Sequence, residues 1–215
     1  MKFIDFFAGV GGFRRGMELA GHECVGFCEF DKFATASYTS MHLLTQEQRE
    51  FLDKMPLKQR QKEILKEEYR NGEWYANDIR RVYAGDIPKA DCWCFGFPCQ
   101  DISVAGKQLG FQGNRSSLFF RVMYLIGQLE EENRPTYLFI ENVKNLLSVN
   151  GGWDFARLLI EMEQGGMMQN GKCSTPKISE CHRTEKGVSL SDILEAEAPQ
   201  KYFLSKEQTE KIVFK

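Results

Sequence analysis

Cys99 stands in the run Gly96-Phe-Pro-Cys-Gln-Asp-Ile-Ser103, directly after a proline and at the end of the apolar stretch Asp91–Phe97, DCWCFGF. A thiol attacks only as its thiolate, and a free Cys ionises near pH ~8.5. Exposed at a strand end, near backbone N–H groups, such a thiol can be activated. An isolated Cys in this setting is more often a small buried packing residue. Pro98 fixes the backbone before it, and the polar, glycine-containing run Gln100–Arg115 that follows suits a mobile lid. Glu141 closes a second apolar stretch, Thr136–Asn142, TYLFIEN. Partial desolvation there would raise its pKa and leave a proton donor near neutral pH. The alternative for Glu141 is an acid satisfied by backbone N–H groups at a helix start. The third group is N-terminal: Gly9, Gly11 and Gly12 in DFFAGVGG lie between an apolar run and a helical one. Glycines let the backbone turn tightly and approach a ligand closely, although the spacing is not G-x-G-x-x-G, because Arg14 takes the third position. Glu29 ends the second apolar run and can accept both hydrogens of a ribose diol. Asp86, in Gly85-Asp-Ile87, can accept from an adenine amino group. Taken in order, these residues describe a nucleoside site at the carboxyl edge of a sheet.

The elements that must position these groups can be read from periodicity. Strands are predicted at Met1–Phe7, Cys24–Phe30, Val82–Ile87, Asp91–Phe97 and Thr136–Asn142, and helices at Phe13–Gly21, Lys32–Ser40, Ser117–Glu131 and Trp153–Gln164. Strand, glycine turn, helix, strand is the opening of a doubly wound α/β sheet. Residues 42–78 interrupt the alternation with a Lys-, Glu-, Gln- and Arg-rich segment, read as one or two solvent-facing helices inserted in the fold. After Gln164 the chain reads as loop, then a short helix begun by Ser189 or Ser191, and lastly a small helix and a final strand in KYFLSKEQTEKIVFK.

Composition bounds the rest. A chain of 215 residues with 42% hydrophobic content suits one ordinary domain, with room for a small appendage. No apolar run approaches the roughly 20 residues that span a bilayer, and MKFIDFFAGVGG makes a poor signal peptide. Seven Cys, an odd number, with no sign of secretion, fit free thiols in a reducing cytosol. A net charge of −2 and a pI near 6.0 do not advertise a nucleic-acid binder, though a basic groove can be local. Cys173, Cys181 and His182 fall one ligand short of a tetrahedral zinc site, so no metal is expected. Cys24, Cys28, Cys92 and Cys94 are read as packing residues on strands.

The runs DFFAGVGGFRRGME, CEFD, GDI, GFPCQDISVAGKQLGF, NRSSLFF and IENVKN resemble the successive motifs of the cytosine-5 DNA methyltransferases, in that family's order, across residues 1 to about 163. The resemblance implies a Rossmann-like α/β sheet that binds S-adenosyl-L-methionine, with residues 1–164 as the catalytic domain and 42–78 as its insertion. It also implies a DNA (cytosine-5-)-methyltransferase, of the kind found in restriction-modification systems, acting on cytosine in double-stranded DNA. Cys99 would add to cytosine C6, flanked by Pro98, Gln100 and Ser103. Glu141 would act at N3, and Asn142 would hold the surroundings of Cys99. Phe7, Ala8, Gly9, Gly11, Gly12, Glu29, Phe30, Asp86, Ile87 and Leu118 would hold the cofactor, with Phe30 stacking on adenine.

Beyond residue 164 the resemblance lapses. The family's Q-x-R-x-R run, its target-recognition domain and its later GN motif have no counterpart, and residues 165–215 read as a remnant of the recognition region. The expected fold therefore lacks the last strands of the sheet and most of the target-recognition domain. Two alternatives follow: an inactive remnant that binds S-adenosylmethionine, or one subunit of a split enzyme. The strand at Glu141 would be an exposed edge, covered by the terminal Lys211–Phe214 or by a second subunit. A cytoplasmic protein of bacterial or phage origin, with no membrane contact, completes the expectation.

Overall fold

A computed structural model describes residues 1–97, 118–142 and 153–164 of the chain, the last with side chains only at 158–163. The apolar runs pair as parallel strands: β1 (Lys2–Phe6), β2 (Glu23–Cys28), β3 (Trp74–Ala76), β4 (Cys92–Gly96) and β5 (Tyr137–Glu141), in the sheet order β3-β2-β1-β4-β5. Parallel strands are covered on both faces, which is why these runs are almost continuously apolar. The register aligns their carboxyl ends, with Phe6 against Cys28 and Phe95, and Cys28 against Ala76.

Helices pack on each face. On one side α1 (Gly12–Leu19) and α2 (Lys32–His42) cover the sheet, where Phe3, Met17, Cys24, Cys92, Cys94 and Phe139 form one buried cluster and Ala8, Phe27, Tyr38 and Leu43 another. The Phe27 and Tyr38 rings stack at 3.9 Å between centroids. On the other side α5 (Leu118–Gln128) and α6 (Trp153–Gln164) cover Ile4, Phe6, Trp93, Phe95 and Leu138. The short helices α3 (Gln46–Asp53) and α4 (Leu57–Glu63) lie between α2 and β3. Thr45 and Gln48 close a capping box at the start of α3.

Two expectations need correction. The segment 42–78 is not only solvated helix. Leu52, Ile64 and Tyr69 bury a small core of their own, and the segment ends in strand β3. Gly26 makes room for that strand: it pairs with Trp74, and a Cβ at Gly26 would come within 2.7 Å of the Trp74 carbonyl oxygen. The second correction concerns Val82–Ile87, which is no strand. A 3-10 turn at Ala84–Asp86 occupies it, and its Val82 and Ile87 side chains point into the core without any ladder. The other strands and helices expected up to Gln164 agree to within a few residues, while those expected after it lie outside the described residues.

Candidate active site

The chain proceeds from β1 outward to β3, then returns across β1 to β4 and β5. The order reverses between β1 and β4, and in open α/β sheets ligands bind in the crevice beyond the strand ends at such a point. β1 leads there into a turn with three left-handed residues: Phe7 at φ 55°, Gly9 at φ 55° and Gly11 at φ 88°. For Phe7 this conformation costs about 1–2 kcal/mol, a strain that tends to collect at functional sites. Gly11 is also needed sterically, because a Cβ there would strike the His42 imidazole and lie 3.1 Å from the Tyr38 ring. His42 Nε2 in turn contacts the Val10 carbonyl at 2.9 Å, so the end of α2 braces the turn from behind. Among the described residues a Cβ on Gly9 would meet nothing within 4 Å, so the turn is open there.

Glu29 follows β2, and its carboxylate spans the turn. Oε2 accepts from the Gly9 N–H at 2.7 Å and Oε1 from the Asp31 N–H at 2.7 Å. Each oxygen keeps a further lone pair, which suits a pair of vicinal hydroxyls. Phe30 beside it is 72% exposed, an unusual position for a large ring next to a strand end. Ala8 is buried behind the turn, and Gly12 opens α1. Leu118 starts α5, half-buried against the main core.

The acid at the end of the third strand is Asp78. The structure puts β3 at Trp74–Ala76, so the expected Gly85-Asp-Ile87 lies in the later 3-10 turn, with Asp86 exposed and Ile87 buried in the core. Asp78 is buried two residues beyond β3, in the run Asn77-Asp-Ile79. It accepts from Arg80, which holds its carboxyl below the usual carboxylate range. The signal for Asp78 was present in the sequence as a second Asp-Ile pair eight residues earlier, but recognising it required finding the three-residue strand before it.

At the β4–β5 seam, Gly96 pairs with Glu141. A Cβ on Gly96 would come within 2.8 Å of Glu141 Oε2, so the carboxylate lies over the glycine. Asn142 Nδ2 donates to the Phe97 carbonyl at 2.8 Å. The acid thus lies over one, and the amide is hydrogen-bonded to the other, of the two residues that precede Pro98 and Cys99 in sequence. Pro98, Cys99, Gln100, Ser103, the expected lid Gln100–Arg115 and the zinc candidates Cys173, Cys181 and His182 lie outside the described residues, as does the whole of 165–215. Among the described residues no group of three or more His, Cys, Asp and Glu is placed to hold a metal, and no helix is long and apolar enough to cross a membrane.

Beneath the turn lies a polar cluster that the sequence reading missed. Arg14, 6% exposed, gives Nη1 and Nη2 to the two carboxylate oxygens of Glu73 at 2.7 Å each, Nε to Glu18 at 2.8 Å, and a 3.3 Å contact to the Tyr38 hydroxyl. Burial opposes its charge, but the Glu73 hydrogen bonds outweigh that and raise its pKa. Asp5, fully buried, accepts the Arg14 backbone N–H at 3.2 Å, and its other oxygen has no hydrogen-bond partner among the described residues. Desolvation pushes its pKa well up, which favours the neutral acid there. Cys24, Cys28, Cys92 and Cys94 are buried as expected, and desolvation drives the Cys24 and Cys28 thiols up to about 12.

These features define an α/β domain of the Rossmann type, with a nucleoside-shaped set of groups at its switch point and an acid at the neighbouring seam. The chain belongs to the C-5 cytosine-specific DNA methylase family, whose profile matches residues 1–172. It is 36% identical over 152 residues to the type II methyltransferase M.HhaI of Haemophilus parahaemolyticus, a match covering 71% of this chain and 36% of that protein. It is 33% identical over 165 residues to M.NgoBI of Neisseria gonorrhoeae, covering 77% of this chain and 42% of that protein. The chain thus spans about 36–42% of the length of these curated relatives. The solved S. pombe Dnmt2 methyltransferase aligns with a TM-score of 0.49 at 18% identity, covering 74% of this chain and 41% of that one.

Proposed function

We propose that this chain carries the methyl-donor site and the covalent machinery of a DNA (cytosine-5-)-methyltransferase. The observation that carries the reading is the β4–β5 seam. Gly96 leaves room for the Glu141 carboxylate, and Asn142 ties the next residue, Phe97, so that an acid is held beside the strand that leads into Cys99. In this reading Phe7, Gly9, Gly11, Glu29 and Phe30 hold S-adenosylmethionine, with Asp78 in the adenine-binding role that the sequence assigned to Asp86. The donor set fits the group: two carboxylate oxygens with free lone pairs for the ribose diol, an exposed ring for the adenine face, and a turn open at Gly9. Bound there, S-adenosylmethionine supplies the electrophilic methyl group that cytosine C5 accepts.

The protein's own part is to make C5 a nucleophile. The Cys99 thiolate forms a bond to C6 of the cytosine. Glu141, as a carboxylic acid, gives a proton or a hydrogen bond to N3 and so neutralises the charge that the adding thiolate loads onto the ring. Transfer of the C5 proton to water, expulsion of the Cys99 thiolate and return of any N3 proton to Glu141 restore the aromatic base. C5 and C6 are stacked within a duplex, so the base must first be flipped out of it. Asn142 keeps Phe97, and with it the approach to Cys99, in a fixed position.

A second reading is supported by the outer edge of β5, which pairs with no strand among the described residues. In it the chain binds the cofactor, and a second polypeptide supplies the DNA-recognition part. The test is to mix the chain with duplex DNA carrying 5-fluorocytosine and S-adenosylmethionine, and to look for a covalent adduct on a denaturing gel. An adduct that disappears in Cys99→Ser supports the enzyme reading. Absence of an adduct, with S-adenosylhomocysteine still bound in calorimetry, refutes it for the chain alone and favours the second.

A further inference from the structure

We propose that Arg80 gates the adenine end of the cofactor site by competing with adenine for Asp78 and Phe30. The inference rests on the assignment of those two residues to adenine made above. Arg80 lies in a 3-10 turn, Ile79–Arg81, that directly follows Asp78. Its Nε donates to Asp78 Oδ1 at 2.8 Å and its Nη2 to Oδ2 at 2.9 Å, and the Arg80 backbone N–H also donates to Oδ1 at 3.0 Å. The same guanidinium lies over the Phe30 ring, 5.4 Å from its centroid. One planar cation thus bridges the buried carboxylate and the exposed aromatic face.

Guanidinium and adenine share the features that matter here. Both are flat, both stack on aromatic rings, and both present N–H donors in the plane. Adenine cannot lie on Phe30 and give its amino group to Asp78 while Arg80 keeps both contacts in the same place. The Arg80 side chain is 57% exposed and its partners among the described residues are Asp78 and Phe30, so it can swing into water at small cost. Arg81, whose Nε is 3.9 Å from Asp78 Oδ2 and whose side chain is 83% exposed, remains near the carboxylate when Arg80 leaves. Arg80 therefore lowers the affinity of the site for its cofactor while keeping Asp78 ionised and oriented.

The experiment titrates S-adenosylhomocysteine into the wild-type chain and into Arg80→Ala, Arg80→Lys and Phe30→Ala by calorimetry, with thermal melts to verify folding. Arg80→Ala should bind about three- to tenfold more tightly, the size of one exposed ion pair and one exposed cation–π contact together. Raising salt should tighten binding to the wild type and leave Arg80→Ala unmoved, a response that a purely structural arginine would not give. Arg80→Lys, which keeps the charge and loses the planar fork, should fall between. Unchanged or weaker binding in Arg80→Ala overturns the gate, the weaker result making Arg80 a cofactor contact instead. If Phe30→Ala binds as well as the wild type, or no variant binds at all, the underlying site assignment fails and the gate with it.

Discussion

Replacing Arg14 by Met tests the polar cluster beneath the glycine turn. The Arg14 side chain is 7% exposed, and its guanidinium makes a two-pronged contact with Glu73, which lies 59 residues away in sequence. Methionine keeps most of the volume and removes the charge. Removing one partner of a fully buried pair costs about 3–5 kcal/mol, because the other charge is stranded. Here Glu73 and Glu18 retain 19% and 34% side-chain exposure and can recover some water, so the cost should fall below that range, to about 2–3 kcal/mol. With a urea dependence of about 2 kcal/mol per molar, the midpoint should drop by about 1–1.5 M. The partner variant Glu73→Met completes a double-mutant cycle. Because Met at both positions leaves no stranded Glu73 charge, the double variant should recover about 1–2 kcal/mol relative to the sum of the singles. A loss below about 0.5 kcal/mol in Arg14→Met, or strict additivity in the cycle, would show that the cluster does not hold the turn to the segment before β3.

Two further outcomes are expected. Gly96→Ala should fold with near wild-type stability, since the atom it meets is the mobile end of Glu141, yet slow adduct formation with 5-fluorocytosine DNA by about tenfold or more, as displaced catalytic groups do; equal adduct rates in the two proteins would detach Glu141 from the chemistry. In native protein at pH 8, Cys24, Cys28, Cys92 and Cys94 should resist an aromatic disulfide reagent, because all four are buried and desolvation raises the Cys24, Cys28 and Cys94 thiols, leaving any fast-reacting thiol to Cys99, Cys173 or Cys181; mass spectrometry finding early label on any of the four would contradict the buried assignment.

How much of this was legible in the sequence depended on the range of the interactions involved. β1, β2, β4 and β5 announce themselves as apolar runs because each is buried on both faces. The acid–amide pair Glu141–Asn142 is legible because it ends such a run. β3 is only three residues long and follows a charged stretch, so neither period nor length exposes it. Missing it displaced the third-strand acid from Asp78 to Asp86, whose flanking Gly85 and Ile87 matched the expected pattern more closely. Val82–Ile87 was expected as a strand from its short apolar run, but its Val82 and Ile87 side chains anchor a turn to the core. Arg14 registered only as the residue that breaks the dinucleotide fingerprint. Its role depends on Glu73, and no local signal links positions 59 apart.

The seam on which the site depends has a consequence for how the chain acquires its structure. β1 meets β2 after a short connection, Lys2 pairing with Glu23, whereas its other neighbour is β4, with Lys2 bonded to Asp91 across 89 residues. Closing the longer loop carries the larger entropic cost, so the local βαβ unit is favoured to assemble first. The crevice between β1 and β4 is then among the last features to form. A partly folded chain could show strands, helices and a glycine turn and still have no crevice to receive a ligand, so ligand binding would report completion of the fold more faithfully than helical content does.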